Sequence, residues 1–82
     1  MMNAKEAASM TTNYFDNITA QRISEIEEQI TERAKAGQDC VWYNGVKSDY
    51  PRVRMAVIKT LEDAGYHCRW VANGSLEISW RN

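Results

Sequence analysis

The chain has few helix breakers and little redox or metal chemistry. Among 82 residues there are one proline, four glycines, two cysteines and one histidine. Two cysteines, Cys40 and Cys68, are too few for a disulfide-stapled scaffold. His67 and both thiols still fall short of the roughly four convergent ligands of a zinc site, so no metal centre is expected. No apolar run approaches about 18 residues, so no membrane-spanning helix is expected. No basic-then-apolar start marks a secretory signal. Neither sign of charge dominates: ten basic residues meet eleven acidic ones, for a net −1. No strong field therefore draws the chain to nucleic acid or membrane. Gly-rich phosphate loops, internal repeats and Gly/Ser/Pro linkers are also missing. The expectation is one intracellular domain, residues 1–82, with reduced thiols.

What is present is ordinary globular composition, 44% hydrophobic and 26% charged. A chain this short buries only about 60–65% of its unfolded surface, which favours oligomerisation. The charge is uneven. Residues 1–39 hold four basic and seven acidic side chains, and residues 40–82 hold six basic and four acidic.

Residues 3–36 lack both Gly and Pro. Asn3, with Glu6 three residues on, forms a capping box. Ala8, Thr11, Phe15, Ile18, Ile23, Ile26, Ile30 and Ala34 recur at helical spacing, and Gly37 supplies the stop. Thr11-Thr12-Asn13 is a run of poor helix formers, so either the helix breaks there or it runs for about 50 Å. An unbroken helix overhangs the core of so small a domain. Thr11, Phe15 and Ile18 then become candidates for an oligomer interface.

Cys40-Val41-Trp42-Tyr43 reads as a strand ended by Asn44-Gly45. Ser48-Asp49-Tyr50-Pro51 starts a second helix, with a capping side chain before a first-turn proline. Its buried stripe is Tyr50, Val53, Val57, Ile58, Leu61 and Ala64, and Gly65 ends it. Two strands follow around Asn73-Gly74. A three-residue loop, Ala72-Asn73-Gly74, pairs Trp70 with Leu76, Cys68 with Ile78 and Tyr66 with Trp80, which sends all six to the core. The predicted fold is α+β: a long helix over 1–37, then a β-α-β-β unit over 38–82. Its small three-stranded mixed sheet carries both helices on one face. Cys40 and Cys68 are expected in the core.

Asn3-Ala4-Lys5-Glu6-Ala7, the Ala-Lys-Ala-Gly ending at 34–37, the Leu61-Glu62-Asp63-Ala64-Gly65-Tyr66 helix close and the final Ile78-Ser79-Trp80 resemble a widespread group of small, mostly uncharacterised bacteriophage proteins. Cys68 departs from that pattern, standing where an aliphatic residue is expected. The resemblance implies a phage-encoded protein acting in the host bacterial cytoplasm. It brings no catalytic or ligand residues.

No side-chain set suggests catalysis. His67 and Cys68 alternate onto opposite faces, and Glu27 and Glu28 lie on a solvated helix face. The expected activity is therefore non-enzymatic binding without a cofactor, by a homo-oligomer, toward a host protein or a small anionic ligand. Countering a host defence is one form of it. Candidate binding residues are Arg52 and Arg54 near the positive end of the second helix, with Arg69 and Arg81 on the open sheet face. The alternative is a nucleic-acid-binding accessory protein, using Trp42, Tyr43, His67, Arg69 and Arg81 on that face.

Overall fold

A computed structural model describes residues 1–81. Helix α1 spans Ala4–Lys35 without interruption. Asn3 caps it, its side-chain oxygen accepting from the Glu6 N–H at 2.8 Å, and its amide donates to the Glu6 carboxylate at 3.3 Å. The helix does not break at Thr11-Thr12-Asn13. The Thr11 hydroxyl donates to the Ala7 carbonyl at 3.1 Å, so this side chain is satisfied within the helix. At the other end Gln38 N–H bonds to Arg33 O and Gly37 N–H to Ala34 O, the paired closure that follows a glycine stop.

The remaining elements are β1 (Cys40–Tyr43), α2 (Pro51–Asp63), β2 (His67–Trp70) and β3 (Leu76–Ser79). The architecture is α+β, as the residue pattern predicts, but the sheet is not mixed. Its order is β1-β3-β2, and both pairings are antiparallel. β1 and β2 run the same way and never pair, because β3 lies between them. β3 carries Leu76 and Ile78, both fully buried, and its central position makes it the most deeply buried strand of the three.

The hairpin register agrees with the sequence reading: Trp70 pairs with Leu76 and Cys68 with Ile78. Gly74 has φ +85°, the left-handed position of the three-residue loop. The Tyr66 and Trp80 rings meet edge-to-face at 6.1 Å just beyond the ladder.

Both helices cover one sheet face. Ile26 and Ile30 of α1 and Val53, Val57 and Leu61 of α2 pack on Val41, Tyr43, Leu76 and Ile78, with Val46 filling from the β1–α2 loop. The opposite face carries Cys40, Ser79 and His67 in one row and Trp42, Glu77 and Arg69 in the next. Cys40 is therefore half-buried on the outer face rather than in the core, while Cys68 is half-buried on the core face.

Two members of the expected α2 stripe and one expected core residue of β2 lie outside. Tyr50 is exposed and stands at the N-cap of α2 with no side-chain bond to it, while the neighbouring Asp49 carboxylate is engaged by Arg22. Ala64 is exposed at the end of α2. Trp70 keeps its predicted register but is 43% exposed, at the sheet edge.

The molecule measures 55 × 25 × 18 Å, and α1 sets the long axis. Along α1, Ile26 and Ile30 are buried, and Phe15, Ile18 and Ile23 are half-buried. Ala8, Thr11 and Ala34 are exposed, as is every residue from 1 to 14. The overhang expected of an unbroken helix is present. Among the described residues no helix is long and apolar enough to cross a membrane.

Candidate functional site

Pro51, Arg54, Met55 and Ile58 recur every three or four residues, so one flank of α2 presents all four. Trp70, at the end of β2, and Gly74, in the hairpin loop, stand opposite. Together they line an open groove of about 380 Å³. Met55 is 71% exposed at its edge. The Arg54 guanidinium carbon lies 5.8 Å from the centre of the Trp70 ring. A Cβ at Gly74 would stand 3.2 Å from Lys47 Cε, so the Lys47 stem runs across this loop and adds a second cation nearby.

The four arginines singled out from the sequence divide into two pairs. Arg69 grips Glu77 through two bonds of 3.0 and 3.2 Å across the outer face. That grip holds the Glu77 carboxyl below its ordinary range, helped by the Trp42 indole and the Arg81 charge. Arg81 lies 3.7 Å from Asp39. Both sheet-face cations thus have acidic partners. Arg52 and Arg54 instead sit on aromatic rings, Arg52 at 4.9 Å from the centre of Phe15. Among the described residues neither forms an ion pair with a carboxylate. The first turn of α2 holds no acidic residue, so nothing of its own offsets these two charges there.

Phe15 also meets Tyr50 and Tyr14 edge-to-face, each at 5.4 Å. Of the expected interface residues, Phe15 and Ile18 are thus partly covered by their own chain, and Thr11 lies on the exposed overhang.

Burial, then the Glu62 charge, pushes the Cys68 thiol up to about 11, far from a reactive thiolate. His67 is exposed on the other sheet face and cannot serve it as a base. Among the described residues no group of three or more His, Cys, Asp or Glu is placed to hold a metal ion.

Sequence reasoning missed Trp70 as a site residue because strand alternation assigns it to the core. Its position at the end of its strand, beside the hairpin loop, was the available signal. It also missed the ties of β1 and the β1–α2 loop to α1. There Arg22 binds Asp49 at 2.8 and 3.1 Å, and the Tyr43 hydroxyl donates to Glu25.

Set against protein-family models, curated proteins and solved structures, the chain matches none. The site is therefore argued from its own residues.

Proposed function

We propose that this chain is a phage-encoded, non-enzymatic binding protein that occupies a host factor or sequesters a small signal molecule in the host bacterial cytoplasm. Countering a host defence is one use of such binding. The observation that carries the binding role is the solvent-open Arg54–Trp70 pair in the α2 groove. A guanidinium resting on an indole keeps its N–H edges for a phosphate or carboxylate, while the ring and the exposed Met55 offer a flat apolar surface. That combination suits an anion attached to a planar group. Phage origin rests on the sequence resemblance.

Tryptophan fluorescence titrated with nucleoside mono-, di- and triphosphates tests the groove. Saturable binding is expected, weakened about tenfold or more by Arg54→Ala or Trp70→Ala, which corresponds to about 1.4 kcal/mol. Arg69→Ala and Arg81→Ala should change it little, since their carboxylate partners already hold them. Absence of saturation up to about 1 mM, a 4 kcal/mol threshold, counts against the groove.

Exposed Trp42 and His67 on the outer sheet face favour a second reading, single-stranded nucleic acid lying across the sheet. In that case Arg69→Ala weakens oligonucleotide binding more than Arg54→Ala, and affinity falls steeply with salt.

A further inference from the structure

We infer that the overhanging half of α1 pairs with the same segment of a second copy, antiparallel, about a two-fold axis close to Met10 and Thr11. This surface is separate from the groove and does not rest on the ligand reading.

Every residue from 1 to 14 is exposed and the helix begins at Ala4, so about 16 Å of helix lies beyond the chain's own core. From Met1 to Gln21 the charged side chains are Lys5, Glu6 and Asp16. Lys5 and Asp16 are 11 residues apart in the sequence. Eleven steps carry the helix about 20° past three full turns, so the two share one flank. Glu6 points about 80–100° away from both, toward the back.

An antiparallel two-fold brings the same flank of each helix together. With paired positions adding to about 21, Lys5 faces Asp16 of the partner subunit and Asp16 faces the partner subunit's Lys5. One pair of residues thus makes two ion pairs. In-register parallel pairing would bring opposite flanks together and leave Lys5 and Asp16 against the uncharged Met10 and Tyr14 side, so only the antiparallel arrangement pairs the charges.

The seam beside this flank is Ala4, Ala8 and Thr11, spaced by four and three residues; it ends where Phe15 and Ile18 turn to the chain's own core. Its small side chains let two backbones approach closely. A shallow groove of about 280 Å³ lies on this flank, beside the seam, between Lys5, Ala8, Ser9, Thr12 and Asn13. Met10 and Tyr14, 59% and 58% exposed, border the other side. The flank is neutral overall and complementary to its own reverse. That favours a second copy over a strongly basic or acidic partner.

Light scattering on the full chain between about 10 and 500 µM tests the pairing. The expected mass rises from the 9.4 kDa monomer to twice that value. Lys5→Asp and Asp16→Lys should each weaken the dimer about tenfold or more, and the double reversal should restore it. Ala8→Arg should abolish it with an unchanged circular dichroism spectrum, since residue 8 touches nothing in its own core. Under mild oxidation Thr11→Cys should bridge to itself across the axis, with peptide mapping to separate this bridge from Cys40 and Cys68. Ala4→Cys should not, because its two copies lie about 20 Å apart, far beyond disulfide reach. A monomer at 500 µM, a dimer indifferent to both charge reversals, or bridging at residue 4 equal to that at residue 11 would each overturn the inference.

Discussion

Arg22 holds Asp49 through two parallel bonds, and Asp49 is only 13% exposed. The Asp49 hydrogen bond raises the Arg22 pKa well above its ordinary value, so this cation stays charged throughout. Asp49→Asn removes the charge-assisted pair and leaves Arg22 without its main partner. The expected cost is about 1–3 kcal/mol, read as a fall of several degrees in melting temperature. Beside it, a Cβ at Gly45 would collide with the Tyr43 ring, which lies across that backbone. Close approach, rather than an unusual φ, requires glycine there. Gly74 is the other case: its φ of +85° makes Gly74→Ala cost about 1–2 kcal/mol in the same melting assay. Ser75, next to it, is held by its side chain. It is buried, and its hydroxyl donates to Asn44.

The two halves of α1 obey different rules. Residues 1–14 stand clear of the core, whereas Ile26 and Ile30 are buried against the sheet and α2. Deleting residues 1–11 should shift the melting temperature of dilute protein by only a few degrees, with Thr12 or Asn13 available as a new cap. Ile26→Ala should cost about 2–5 kcal/mol, because its cavity lies where the surrounding elements meet. Equal losses from both changes would mean that the overhang carries fold stability. α2 is divided lengthwise instead: Val53, Val57 and Leu61 fix it to the sheet, which leaves Arg54 and Met55 on the flank that lines the groove.

For the whole molecule, the ion pairs and the phenol set the pH limits of stability. Burial, then the bond to Glu25, pushes the Tyr43 phenol from 10.0 up to about 12. A group raised in the folded state stabilises fully below its unfolded value and loses that contribution as pH rises through its folded one. Denaturation midpoints should therefore fall between about pH 10 and 12, and Tyr43→Phe should flatten that slope. Glu77 works in the opposite sense. Arg69 lowers its carboxyl below 4.5, so its contribution is present above that value and lost as pH drops through the folded one. Glu77→Gln should flatten the acid limb of the same curve.

By itself the sequence determined the elements and most of their ends, though not whether α1 runs unbroken through Thr11-Thr12-Asn13. The Gly- and Pro-free run of 3–36, Pro51 in a first turn and the glycines after each helix act locally, through caps and φ, and need no distant partner. The hairpin register was equally legible, because only the three-residue loop sends Leu76, Ile78, Cys68 and Trp70 to one face. The candidate site was half legible. Arg54 could be named from its place in the first turn of α2, but not which of four arginines lacked an acidic partner. Tertiary structure decided that, since Glu77 and Asp39 reach Arg69 and Arg81 only through strand pairing and the chain's return to β1. It also decided that β3 lies between β1 and β2, that Asp49 turns from its own helix to Arg22, and that Trp70 stands open beside Arg54. Each of these compares a local preference with a contact between residues distant in sequence, and the energy of such a contact exists only once the chain has folded.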